Sequence, residues 1–156
     1  MIFRILFFLF VLVPVMIVVI PAQALINALK LPVWNVLPRF FHRLGCIFLG
    51  LRVTVIGEPA HGRPTLLVSN HVSWTDIVAV GSVADVTFVA KREVGDWFFV
   101  GMMARLQKTI FVDRTRRSDA GRTAQEMGTH MADGNAVLLF AEGQSDIGTH
   151  VLPFRS

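Results

Sequence analysis

The sequence predicts an α/β fold: apolar amino-terminal helices, then a largely parallel sheet covered by helices. Three observations predict it. No charged side chain occurs between Arg4 and Lys30. Beyond residue 51, short runs rich in β-branched residues alternate with turn residues. Between those runs lie longer stretches of helical character. The expected division is residues 1–51 as membrane anchor and interfacial helix, and residues 52–156 as a partial α/β domain. With 156 residues, two domains are excluded. A hydrophobic fraction of 53% with 17% charged residues excludes disorder and favours contact with a membrane. Cys46 is the one cysteine, which excludes a disulfide framework, a cysteine zinc site and a dithiol redox pair.

Taken in order, residues 5–29 come first. A membrane helix needs about 20 mostly apolar residues, and this run supplies them. Pro14 is expected to kink it and Pro21 to lie near its end, both tolerated in membrane helices. A secretory signal peptide is the rival, since Arg4 precedes the run and Ala22-Gln23-Ala24 has the form of a cleavage site. The apolar stretch exceeds the roughly 7–15 residues usual for a signal, and the next segment stays apolar and basic. Lys30, Arg39, Arg43 and Arg52 come after the run, against Arg4 before it. The positive-inside rule then leaves the bulk of the chain on the cytoplasmic face of the cell (inner) membrane. Residues 31–51 carry Trp34, Phe40, Phe41 and Phe48 among Arg39, His42 and Arg43. Two readings fit them equally: an interfacial helix, or an amphipathic helix buried against the globular part.

Strands are expected at residues 52–57 (RVTVIG), 65–69 (TLLVS), 86–90 (VTFVA), 109–112 (TIFV) and 136–140 (AVLLF). Helices are expected at residues 74–83, 93–106 and 119–133. The last places Ala120, Ala124, Met127 and Met131 on one face, with Ser118 as N-cap and Gly134 as its stop.

In such a sheet ligands sit beyond the carboxyl ends of the strands. Three places stand out there: residues 70–76 (NHVSWTD), Asp113-Arg114, and residues 141–145 (AEGQS). His71 and Asp76 are five residues apart, about 140° around a helix, so they cannot meet if both are helical. With His71 in the loop and Asp76 in the first turn they can meet, giving a base and its orienting carboxylate. Ser73 and Asp76 equally fit a capping box, which would explain the aspartate by helix initiation alone.

Asn70-His71 through Asp76 resembles the N-H-x-x-x-x-D box of the PlsC-like glycerolipid and lysophospholipid acyltransferase family. Residues 110–114 (IFVDR) resemble its second box, Phe140-Ala141-Glu142-Gly143 the F-P-E-G start of its third, and residues 151–156 (VLPFRS) the segment after it. Four matches in the right order are far more specific than one. The resemblance implies transfer of a fatty acyl group from acyl-CoA or acyl carrier protein to the hydroxyl of a lysophospholipid, 1-acylglycerol-3-phosphate first and lyso-ornithine lipid as the alternative. It implies His71 as general base and Asp76 as its orienter, with no acyl-enzyme, no metal and no cofactor beyond the donor. Asn70, Arg114, Glu142, Gly143 and Ser145 would bind the acceptor. A guanidinium holds phosphate bidentately, which suits Arg114; its alternative is a solvated pair with Asp113. Glu142 cannot attract phosphate and would organise Arg114 or the acceptor hydroxyl. Arg116, Arg117 and Arg122 could form a basic surface over lipid, though a solvated basic face is the better account of Arg122. For Lys91 and Arg92, the donor's phosphates and a plain surface role are equal alternatives.

The third box departs from the pattern: Ala141 replaces proline, and Gln144 stands where a threonine hydroxyl is usual. Family members commonly continue well beyond the third box, so the chain is expected to be a fragment. A non-catalytic membrane-associated protein is the competing reading. Nucleic-acid binding, which a pI near 10.2 could prompt, lacks a clustered basic patch or a known module.

Overall fold

The computed structural model describes residues 2–58, 63–113 and 117–154. Its amino-terminal helix Ile2–Ala28 comprises α1 (Ile2–Phe7), a π-helical stretch (Phe8–Leu12) and α2 (Val13–Ala28). This helix is long and apolar enough to cross a membrane, and only 11% of its most apolar window is buried. The irregularity expected at Pro14 is the π-helical stretch: proline has no N–H to donate, and its ring crowds the Phe10 carbonyl. The helix α3 (Val36–Leu49) runs back beside it. Phe48 meets Phe7 and Phe8 at one end, while Pro38 and Phe41 share a small cavity with Val19, Ile20 and Gln23 at the other.

Four parallel strands come next: β1 (Thr65–Ser69), β2 (Val86–Lys91), β3 (Ile110–Val112) and β4 (Ala136–Phe140), in the spatial order β1-β4-β2-β3. Parallel strands need crossovers, supplied by α4 (Thr75–Val83), by α5 (Arg92–Asp96) with α6 (Phe98–Leu106), and by α7 (Arg117–Ala132). Side chains alternate across the sheet. Val86, Phe88, Ala136, Leu138 and Phe140 face α4, where Ile77 and Val80 close a buried cluster. Val89, Ile110 and Val137 face α7, under Met127 and Met131. The helix α4 is in turn covered by α3, through buried His42 and Cys46. So α3 has a packed face and an open one bearing Val36, Phe40 and Ile47.

Four sequence expectations are corrected. Residues 52–57 alternate like a strand, yet they form no ladder, and Ile56 is 96% exposed. A strand requires a partner edge, which that pattern cannot specify. Residues 93–106 are not one helix: Trp97 is extended between α5 and α6, at a corner where Gly95 and Gly101 come together. The buried stripe of α7 runs through Thr123, Met127 and Met131, while Ala120 and Ala124 are exposed. Alanine is too small to mark a face. Gly134 does stop α7: its φ is 82°, its N–H donates to Met131, and that of Asn135 donates to His130. Ser118, expected to cap the other end, instead lies inside the first turn, since α7 begins at Arg117.

The helix Ile2–Ala28 is tied to the α/β part by side-chain amides. Asn27 Nδ2 donates to the Leu106 carbonyl at 2.9 Å and Gln23 Nε2 to the same carbonyl at 3.4 Å, while Gln23 also donates to the Trp34 carbonyl at 2.8 Å within the amino-terminal segment. Gln23, the middle residue of the suspected cleavage triplet, is 3% exposed.

Candidate functional site

The strand order decides which loops meet. Because β1 lies beside β4, their carboxyl-terminal loops touch, whereas β3 is three strands from β1, about 14 Å at the usual spacing. His71 stands in the loop after β1, its ring stacked on Phe140 at 4.1 Å between centroids. Asp76 lies in the first turn of α4. Its Oδ2 is 2.9 Å from His71 Nδ1 and also accepts the amides of Val72 (2.7 Å) and Ser73 (3.0 Å).

That environment fixes the tautomer. An oxygen taking two amide N–H groups is a carboxylate acceptor, so Nδ1 carries the proton and Nε2 keeps its lone pair. A histidine so held is arranged to accept a proton at Nε2. Ser73 contributes the other half of the cap, with Oγ 3.0 Å from the Thr75 amide. One aspartate thus begins the helix and holds the imidazole.

Glu142 is 2% exposed. Its Oε2 accepts the backbone N–H of His71 at 2.6 Å and its Oε1 that of Leu152 at 2.7 Å. It therefore clamps three segments: the loop after β1, the loop after β4 and the strap of residues 144–154. The strap returns the contact, since the amide of Asp146 donates to the His71 carbonyl at 3.1 Å. Glu142, expected to organise Arg114 or the acceptor hydroxyl, instead gives both its oxygens to backbone N–H groups. The roles of Leu152 and Asp146 were missed, because each acts through its amide and no side-chain type signals that. Gly143 is buried with φ of 74°, its N–H donating to Phe140 at 3.1 Å, a left-handed turn that suits glycine. Asn70 and Ser145 are exposed on the same rim.

Arg114 and Arg116 lie outside the described residues, as does the side chain of Arg117. The neighbouring Asp113 follows β3, with Arg92 at 3.8 Å from its carboxylate, and its amide donates to Asp119 at 2.7 Å. Arg122, expected on a solvated basic face, pairs with Asp119 at 2.9 Å and Glu126 at 3.5 Å. The Arg122 hydrogen bond and then the Asp113 amide hold the Asp119 carboxyl down at about 2. Among the described residues no group of three or more His, Cys, Asp or Glu is placed to hold a metal.

A family model described as Acyltransferase matches residues 52–156. The chain is 45% identical, over 93% of its length and 50% of the relative's, to a lyso-ornithine lipid O-acyltransferase of Rhizobium meliloti (strain 1021). It is 44% identical to one from Brucella abortus (strain 2308), over 88% of the chain and 51% of the relative. It is 33% identical to a 1-acyl-sn-glycerol-3-phosphate acyltransferase of Neisseria gonorrhoeae, over 72% of the chain and 44% of the relative. The chain spans about half the length of the curated relatives it matches first. No solved structure matches it.

Proposed function

This chain belongs to the acyltransferase family, and on that premise we propose that it transfers a fatty acyl group from acyl-CoA or acyl carrier protein to the free hydroxyl of a lysolipid at a membrane. The observation that carries the reading is the His71–Asp76 pair, with Nδ1 held by the carboxylate and Nε2 left to act. An alcohol is a weak nucleophile at neutral pH, so a base must take its proton as it attacks. In this scheme His71 Nε2 accepts the hydroxyl proton while the oxygen bonds to the thioester carbonyl carbon. The C–S bond then breaks, and the leaving thiolate takes the proton back from the imidazolium. The products are an ester and a thiol, and no acyl-enzyme or additional cofactor enters. Asp76 orients the ring and stabilises its charged form.

For the acceptor, lyso-ornithine lipid comes first, supported by relatives of that name at 45% and 44% identity. The second reading, 1-acylglycerol-3-phosphate, is supported by the Neisseria relative at 33% and by Arg114, whose residue type suits phosphate. Asn70, Arg114, Gly143 and Ser145 are the proposed acceptor-binding residues. The proposed setting is the inner membrane with the strand-end rim on the cytoplasmic side, on the excess of Lys and Arg after the apolar helix. An acyl-transfer assay on membranes carrying the protein, with both donors against a panel of lysolipids, tests this. Transfer to lyso-ornithine lipid is expected. Transfer to lysophosphatidic acid alone would reverse the order of acceptors, and transfer unaffected by His71→Ala would remove the base assignment.

A further inference from the structure

The corner between α5 and α6 presents Trp97, Phe98, Phe99 and Val100 to the outside, with Phe98 91% exposed. Four consecutive exposed apolar residues on a folded domain mark a contact surface. The corner is built, not frayed: a side chain at Gly101 would strike the Gly95 carbonyl, and one at Gly95 would press on the Phe111 ring at 3.1 Å. Two glycines hold the aromatic tip outward.

Its neighbour is the apolar helix. Leu106, at the far end of α6, accepts the Asn27 amide, and Met103 shares a cavity with Val19 and Ile20. Going back from Leu106 to Met103 corresponds to going back from Gln23 to Ile20, so the two helices run side by side in the same direction. At 1.5 Å per residue, the eight residues from Leu106 to Phe98 cover about 12 Å, which sets Phe98 abreast of about Val15. That is the middle of the uncharged run, where Ile17 and Val18 are themselves 69% and 67% exposed.

We propose that the Trp97–Val100 tip is a second membrane-inserting element, taking lipid acyl chains beside the apolar helix. With that helix upright, a bilayer that covers the middle of Ile2–Ala28 reaches the level of Phe98 as well. The partner is lipid by continuity with this surface and by residue type, since Trp and Phe favour the membrane interface. On α5, Glu93 and Asp96 offset Lys91 and Arg92, so the attraction is apolar and insensitive to salt. The tip follows α5 in the connection from the rim end of β2, and so holds that rim toward the lipid surface. The proposal is independent of acyl transfer.

The full chain bearing Cys46→Ala, with a nitroxide on Phe98→Cys or on Gln125→Cys of α7 as control, is placed in phosphatidylcholine vesicles. Collision with oxygen and with a nickel chelate is measured for each label. The expected result is high oxygen and low nickel accessibility at 98, the reverse at 125, and no change at high salt. Equal values at the two positions would put the tip in water and overturn the proposal. Loss of both collisions at 98 would bury it in protein, and dipolar broadening abolished by spin dilution would assign it to a second copy; either overturns it. Should the cysteine variants not fold, brominated-chain vesicles quench the tryptophan fluorescence of the unaltered chain by a larger fraction than that of Trp97→Phe. Equal quenching would refute insertion.

Discussion

Asp76 Oδ2 binds His71 Nδ1 at 2.9 Å with the same atom that accepts the amides of Val72 and Ser73. The two effects of losing each partner are therefore separable. Removing the imidazole by His71→Ala takes away the proposed base and leaves the helix start intact. Acyl transfer should fall by about 10²–10⁴-fold, with stability lowered by the lost stack on Phe140 and the lost hydrogen bond to Asp76, about 1 kcal/mol each. Asp76→Ala should lower activity similarly and also cost about 0.5–2 kcal/mol for the lost cap. Parallel kinetics and urea unfolding on both variants check this, and an Asp76→Ala variant as stable as the parent would refute the dual role.

Glu142 separates positioning from acceptor binding. Glu142→Ala strands the amides of His71 and Leu152 in a buried place, at about 1–3 kcal/mol each. Because the carboxylate holds the His71 backbone, kcat should fall while KM for the acceptor changes little. Glu142→Gln keeps one acceptor oxygen and should recover part of both losses. A rise in acceptor KM at unchanged kcat would instead assign Glu142 to the acceptor.

The legibility of this site tracked the kind of signal each residue carries. The His71 and Asp76 spacing, a loop residue before a first-turn residue, was readable because helix geometry forbids the other arrangement. Capping and orientation compete as readings of the sequence, yet one oxygen does both, so spacing cannot rank them. Neighbourhood in the sheet was hidden: nothing in residues 136–140 says that they pair with residues 65–69, and this pairing alone brings Glu142 to His71. Residues 52–57 failed for the same reason. They have a strand's alternation without an edge to join, and a periodic pattern records the faces of a strand but not its partner. The corner at Trp97 had a signal in Gly95 and Gly101, which only the fold shows to be a close contact.

Stability should fall below neutral pH through His42. Its ring is buried against Phe88, with Nε2 3.0 Å from Gln107 Oε1, and burial lowers its pKa below 6.5 while the Gln107 bond partly offsets this. The unfolded chain then binds the proton more readily, so stability is full above about pH 6.5 and is lost as pH falls toward the lowered folded value. His130 is shifted the same way by partial burial, so the comparison needs a His42→Gln variant. The urea midpoint of the parent should drop between about pH 7.5 and 5 more than that of the variant. Asp119 acts in a separate window: with its carboxyl lowered from 3.8 to about 2, its contribution is present above 3.8 and lost only toward 2.

One substitution at two glycines should give opposite signs. In the middle of α7, a Cβ at Gly128 would meet nothing within 4 Å, so Gly128→Ala gains helix propensity with no steric cost. It should stabilise the protein by about 0.5–1 kcal/mol. In α6, a Cβ at Gly101 would collide with the Gly95 carbonyl and come within 3.1 Å of the Val94 carbonyl. Backbone oxygens cannot rotate away as a side chain can, so the corner itself must open. The gain in propensity is then outweighed by overpacking, which costs about 1–3 kcal/mol. Urea unfolding of the two variants checks the signs. A neutral Gly101→Ala would mean that the α5–α6 corner is loose, and that Trp97 and Phe98 are not held outward by it.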